Sequence, residues 1–240
     1  MKIEVLFPEV CNLCGDLMNI RYLQQCCPSI EVVETDLKSR PKFLNEEIDL
    51  VYMGCAPEKG LQLAAAALMP FKAEIETLID NGQKMLVTGN ALDVFGTAID
   101  SDDGLHIDGL GLLPTHAKYQ MMKRHNSFFI GTFDADGKTM DIVGFKSLFG
   151  HTYDAPAGNA LFQMKRGMGR NPETAEEGFV RGGLMATYLT GPLLVLNPPF
   201  TKWLLRQFDL PDTLAFEKES MEAYDIRVAE FSEEDRPAFY

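Results

Sequence analysis

The sequence predicts an α/β protein, a mostly parallel sheet flanked by helices in a single domain, and three observations carry that prediction. Short apolar runs alternate with helix-spaced segments through about the first 95 residues, the pattern of βαβ units. Those runs stop on turn formers, at Pro8, Gly54 and Gly89. The chain has 240 residues, 46% hydrophobic and 24% charged, enough to bury a full core around one sheet.

Taken in order, residues 3–7 are an apolar run stopped by Pro8 and read as a buried strand. Gly15 and Asp16 open a segment with Leu17, Ile20 and Leu23 at helical spacing. Residues 30–35 (IEVVET) are rich in β-branched side chains, which suit a pleated surface, and give a second strand. Residues 50–53 are a third, ending at Gly54. Residues 58–79 are rich in Ala, Leu and Glu and read as a helix bent at Pro70, whose ring removes a backbone donor. Residues 85–88 are a fourth strand, and 91–95 start a short helix. The second half changes character. Residues 104–114 are glycine-rich, while 117–133 and 140–146 read as extended segments joined by the DADGK turn at 134–138. Residues 165–178 are polar and turn-rich, which gives a surface loop; 185–189 return to a strand, and 199–208 form a helix with proline near its start. These elements place one domain at 1–208 and an acidic extension at 209–240. A cap on the domain, a partner contact and a mobile end are all open to that tail.

A net charge of −13 leaves no surplus of Lys and Arg for nucleic acid or an anionic membrane. No run approaches the roughly 18 apolar residues of a membrane helix, and the N-terminus lacks a signal-peptide pattern. The five cysteines, Cys11, Cys14, Cys26, Cys27 and Cys55, crowd into the first quarter. An odd, lopsided set is no disulfide framework, so the expected compartment is the reducing cytoplasm.

In a parallel sheet, function gathers at the carboxyl ends of the strands. The sharpest candidate is 85–96 (MLVTGNALDVFG), where a turn after a buried strand holds one side chain above the sheet and aims helix N–H groups at it. The turn carries Gly89 and Asn90, and neither is a nucleophile. Thr88 lies one residue early, with no base in view.

Several motifs together resemble the CobB/CobQ-like class I glutamine amidotransferases, a family with a flavodoxin-like sheet. Leu13-Cys14-Gly15-Asp16-Leu17-Met18-Asn19-Ile20 resembles L-Y-G-D-x-x-N-I, and 49–56 (DLVYMGCA) resembles D-x-V-x-x-G-G-G. Residues 86–96 fall on the elbow L-A-x-C-G-G-x-Q-x-L-G, 110–113 on a G-L-L segment, and 187–198 (TYLTGPLLVLNP) on T-Y-L-H-G-P-x-L-x-x-N-P. The resemblance spans 1–208 and is nearest to the glutaminase subunit of lipid II isoglutaminyl synthase. It implies a thiol that attacks the glutamine amide, a histidine base, and backbone N–H groups at two glycine turns that hold the oxyanion. It also implies a Mur-ligase-like or other synthetase partner that receives the ammonia. Carried over, the nucleophile falls on Gly89 and the base on Thr190. The elbow glutamine falls on Asp93, the second glycine of the oxyanion turn on Cys55, and the family's G-F-E-N-H on Gly144-Phe145-Lys146-Ser147-Leu148. Losing thiol and imidazole together removes the means of making and breaking a thioester.

The expectation is therefore a degenerate glutamine amidotransferase that binds or regulates an amide-forming ligase, with no cofactor and no metal. Its ligand-binding candidates, for a small amide or amino acid, are Asn19, Gly54, Cys55, Gly89, Asn90, Asp93 and Thr190. Two alternatives stand beside it: altered thiol chemistry through Cys55 or the Cys11-x-x-Cys14 pair, and an active glutaminase supplying ammonia. For Cys11 and Cys14, redox or metal chemistry competes with simple packing. His116, His125 and His151 read as surface or hydrogen-bonded histidines, and 165–170 (KRGMGR) as a solvated loop in preference to a phosphate or carboxylate site.

Overall fold

The computed structural model describes residues 1–239. Its frame is a six-stranded sheet in the order β13-β14-β4-β3-β1-β2. The strands are β1 (Lys2–Leu6), β2 (Glu31–Thr35), β3 (Leu50–Met53), β4 (Lys84–Thr88), β13 (Phe179–Arg181) and β14 (Leu184–Thr187). All neighbours pair in parallel except β13, which closes the edge antiparallel to β14. The period-two alternation of side chains explains why these runs are apolar throughout. Leu50 and Tyr52 of β3 enter one core while Val51 and Met53 enter the other, so both faces are covered.

Two helical layers do the covering. On one face lie α2 (Glu58–Leu68) and α3 (Lys72–Asp80), through Leu61, Ala64, Leu68, Ile75 and Ile79. A single 3-10 turn at Met69–Phe71 separates them, where the sequence predicts a bend at Pro70. On the other face lie α1 (Met18–Cys26), α4 (Leu193–Leu196) and α5 (Pro198–Arg206), through Ile20, Leu23, Leu193, Phe200 and Leu204. The elbow segment Gly89–Phe95 is a 3-10 run rather than an α-helix.

The second half adds two further four-stranded sheets, mostly antiparallel. One joins β5 (Ala98–Ser101), β6 (His106–Asp108), β7 (His116–Tyr119) and β10 (Gly150–Tyr153). The other joins β8 (His125–Ala135), β9 (Lys138–Leu148), β11 (Phe162–Arg166) and β12 (Glu176–Glu177). β8 and β9 form a long hairpin closed by Asp136 and Gly137, both at positive φ, the two-residue Asp-Gly loop whose twist suits a hairpin. The surface-loop expectation for 165–178 is corrected here. Two short strands occupy its ends, and Arg170, Asn171 and Glu177 are buried, because Arg170 pairs with Glu176 and stacks on Phe179.

The acidic tail forms α6 (Glu217–Ser232). Its Tyr224 and Phe231 pack on the β8/β9 hairpin in a small core with Phe128, Ile130 and Val143. Phe231 stacks on Phe128 with ring centroids 4.5 Å apart and meets Phe145 edge-on at 5.6 Å. No helix among the described residues is long and apolar enough to cross a membrane.

Candidate functional site

The sheet register brings the candidate residues together. Thr187 pairs with Thr88, and Val87 with Met53, so the chain leaving β14, β4 and β3 turns over the same sheet end. Thr190, Gly89 and the Gly54-Cys55 turn follow directly. Gly89 has φ +65°, the left-handed conformation that puts a side chain above a strand–helix elbow. The space for that side chain is taken. A Cβ built on Gly89 would lie 2.5 Å from Cys55 Cβ and 2.8 Å from Cys55 Sγ. The Cys55 side chain thus fills the volume into which a nucleophile at position 89 would project.

The donors around this volume are already engaged. Cys55 N–H donates to Asp16 Oδ2 at 2.8 Å, and Ala56 N–H donates to Asn90 Oδ1 at 3.0 Å. Asn90 Nδ2 donates to the Ala56 carbonyl at 2.8 Å, while its Oδ1 also accepts from Cys55 Sγ at 3.2 Å. Asn90 therefore staples the two turns together. Beneath them, Thr88 Oγ1 donates to Asp16 Oδ2 at 2.8 Å, and Tyr52 Oη donates to the Asp16 carbonyl at 2.9 Å. Asn19 has its amide nitrogen on the Asp16 carbonyl and Tyr52 Oη, and its oxygen accepts from Leu194 N–H at 2.8 Å, clamping α1 to β3 and α4. Asp16 Oδ1 is buried without a hydrogen-bond partner, and burial pushes this carboxyl up to about 6. Gly54 admits no side chain, because an added Cβ would sit 2.8 Å from the Cys11 carbonyl oxygen.

Thr190, where the resemblance places the base, is likewise turned inward. Thr190 is buried, its Oγ1 donates to the Phe145 carbonyl at 3.1 Å, and its backbone exchanges hydrogen bonds with Phe145. The next residue, Lys146, is enclosed, with Nζ donating to the Gly169 carbonyl at 2.7 Å and lying 3.2 Å from Glu177 Oε1. Glu177 is fully buried and also accepts from Thr187 Oγ1 at 2.7 Å and Tyr188 N–H at 2.9 Å. Asp93 lies behind the elbow, where Tyr119 Oη (2.7 Å), Thr152 Oγ1 (2.8 Å) and Tyr188 Oη donate to it. Burial pushes Asp93 up to about 6. Of the seven candidates, Gly54, Cys55, Gly89 and Asn90 form one contiguous cluster. Asn19, Asp93 and Thr190 spend their polar atoms within the fold.

The cysteines separate differently from their sequence spacing. Cys11 is buried and its thiol is pushed up to about 12 by burial, so Cys11-x-x-Cys14 is not the exposed pair that its spacing suggests. Cys14 is exposed, whereas Cys55 is buried. The neighbouring Cys55 side chain pulls the Cys14 thiol down to about 7, whereas Cys14 and burial together push Cys55 far above the ordinary thiol range. No group of three or more His, Cys, Asp or Glu among the described residues could hold a metal.

Of the histidines, His116 fits the expectation, with Nε2 2.6 Å from Asp100 Oδ2. His151 does not. It is buried, neither ring nitrogen has a partner, and its ring lies 4.3 Å from that of His125, centroid to centroid. Burial pushes His151 down to about 4. Asp16 lies within the Leu13–Ile20 motif. Glu177 carried no signal, because its role depends on Lys146, 31 positions away in sequence.

A parallel sheet covered on both faces, with glycine turns converging at its carboxyl end, is the architecture of the class I glutamine amidotransferases. Two solved structures share it. One is a glutamine amidotransferase from Thermotoga maritima (TM-score 0.50, 11% identity, 96% of this chain and 91% of that one). The other is also titled a glutamine amidotransferase (TM-score 0.54, 13% identity, 85% and 97%). Residues 2–197 match the CobB/CobQ-like glutamine amidotransferase domain, and the chain belongs to that family. It is also 28% identical over 200 residues to the GatD subunit of the glutamine-hydrolysing lipid II isoglutaminyl synthase of Staphylococcus aureus strain N315. That match covers 82% of this chain and 79% of the relative.

Proposed function

We propose that this chain is a catalytically degenerate glutamine amidotransferase-like subunit that binds or regulates an amide-forming synthetase. One observation carries the reading: the Cys55 side chain fills the volume above Gly89. Around it, Asp16 and Asn90 occupy the N–H groups of Cys55 and Ala56, and the hydroxyl of Thr190 is turned to Phe145. An acyl-transfer centre needs a nucleophile, a base within hydrogen-bond reach and donors aimed at the oxyanion. Cys55 does not replace the missing thiol, since a group held far above the ordinary thiol range supplies almost no thiolate at neutral pH.

The same engagement argues for a partner over a small amide or amino-acid ligand, because Asn19, Asn90 and Asp93 have little capacity left for one. The relative is named as a subunit of a synthase, which supports a synthetase as the partner. The resemblance points to the Mur-ligase-like class. Leu13 and Met122 are exposed apolar side chains open to such a partner.

The purified chain, alone and with a Mur-ligase-like synthetase, is assayed for ammonia release from glutamine. The expected result is no release in either case, with a stable complex on size-exclusion that Leu13→Asp and Met122→Asp weaken. Release that disappears in Cys55→Ala overturns the reading in favour of a relocated nucleophile.

A further inference from the structure

A cavity lies at the amino end of the sheet, away from the elbow. It occupies about 670 Å³ between β8, β11, the β13–β14 turn and α5, within the range of about 300–1,000 Å³ that small-molecule sites span. Lys84 opens β4, and Gly182-Gly183 join β13 to β14, so the length of both strands separates the cavity from Gly89 and Thr190. Its walls are aromatic and already fixed. Phe133 meets Phe162 edge-on at 5.9 Å and Trp203 at 4.7 Å, centroid to centroid, which leaves little ordering for a ligand to impose. Phe208 and Met185 extend the apolar lining, and a thioether adapts readily to an aromatic ring.

The charges around the cavity favour an anion. Glu176 accepts from Gly158 N–H at 2.9 Å and pairs with Arg170, while Asp134 accepts from Thr139 Oγ1 across the hairpin. Both acids of the lining are therefore engaged. Lys84, the one basic residue of the lining, is exposed, and its ammonium has no ion pair or hydrogen bond among the described residues. Gln207 stands one helical turn beyond Trp203 and adds a side-chain amide that is likewise uncommitted. An ammonium and an amide N–H at the mouth of an aromatic slot match a carboxylate carried on a ring. We propose that this cavity binds a small aromatic carboxylate, with its ring among Phe133, Phe162, Met185 and Trp203 and its carboxylate on Lys84 and Gln207. Burial of the ring supplies the affinity, and the pairing at the mouth sets its direction.

The test uses the full chain, whose only tryptophan is Trp203, so indole fluorescence reports on this wall alone. Phenylpropionate is titrated beside its amide, which lacks the charge, and beside hexanoate, which lacks the ring. The expected result is a saturable change with phenylpropionate, at an affinity about five-fold above that of the amide, and weaker binding of hexanoate. Lys84→Met, at an exposed position, should make acid and amide bind equally. Ala160→Phe, which adds a ring to the lining, should abolish both. No saturable change, equal affinity for acid and amide in the wild type, or hexanoate binding as tightly as phenylpropionate overturns the proposal. The wild-type comparison decides even where Ala160→Phe folds poorly, and it is independent of whether the chain serves a synthetase.

Discussion

At the scale of single residues, the turns at 55 and 89 share the volume of one side chain. The resemblance places cysteine at 89 and glycine at 55, and this chain holds glycine at 89 and cysteine at 55. Because the Cβ atoms would stand 2.5 Å apart, only one of the two positions can carry a side chain with the backbone as it is. Gly89→Cys combines that overlap with the left-handed cost of its φ and is expected to destabilise by about 3 kcal/mol. Adding Cys55→Gly removes the overlap and should recover most of the loss. Urea midpoints at constant slope measure both, and a double variant no more stable than Gly89→Cys alone would contradict the shared volume. A second residue-scale case is Lys146, whose ammonium is the counter-charge of fully buried Glu177. Lys146→Met leaves a buried carboxylate unpaired and is expected to cost about 3–5 kcal/mol. Lys146→Met with Glu177→Gln should recover much of it, since the amide oxygen can still accept from Thr187 or Tyr188. Equal losses in the single and double variants would show that the charge pairing is not what matters.

At the scale of elements, periodicity made some pieces legible and not others. Five of the six strands of the main sheet, all but the edge strand Phe179–Arg181, follow from a local signal of a few residues, as do the break near Pro70 and the Asp-Gly hairpin. The sealing of 165–178 does not, because its burial comes from Arg170 meeting Glu176 and Phe179, and Asn171 donating to the Thr152 carbonyl. Polar residues look solvated until their partners are known. The tail shows the same limit. Its sequence leaves cap, partner contact and mobile end open, whereas Phe231 seats it on Phe128 and Phe145. Arg166 then receives the helix end and the segment after it, with Nη1 2.7 Å from the Phe231 carbonyl and Nη2 2.6 Å from that of Arg236. A cation on the unpaired carbonyls of a helix end is favourable. Phe231→Ala is expected to cost about 3–5 kcal/mol and to open 217–239 to limited proteolysis before the rest of the chain. Simultaneous cleavage throughout would argue against a separately seated helix.

At the scale of the whole molecule, the site was legible only as far as its motifs. The positions of Gly54, Cys55, Gly89 and Asn90 follow from strand ends and resemblance. That Asp16, Asp93 and His151 are sealed in the interior follows from packing that no local spacing records. Those three groups together set how stability responds to pH. Asp16 and Asp93 are pushed up to about 6 from an ordinary 3.8, chiefly by burial. Between those values the native state keeps protons that the unfolded chain has released, so both groups make stability fall as pH rises from about 4 to 6, with no further change above. His151 acts in the opposite sense. Pushed down to about 4 from 6.5, it refuses a proton that the unfolded chain accepts, so stability is lost as pH falls from 6.5 toward 4. The windows overlap and the wild-type curve sums opposing slopes, so single variants are needed to read them. Asp93→Asn keeps an acceptor for the surrounding hydroxyls and removes the titration. Its stability advantage over wild type should therefore grow by about 3 kcal/mol between pH 4 and 6. His151→Phe should do the reverse, gaining on wild type as the pH is lowered through the same window. Urea midpoints taken across pH 4 to 7 decide it, and curves for both variants that run parallel to the wild-type curve would mean that neither group titrates in the folded interior.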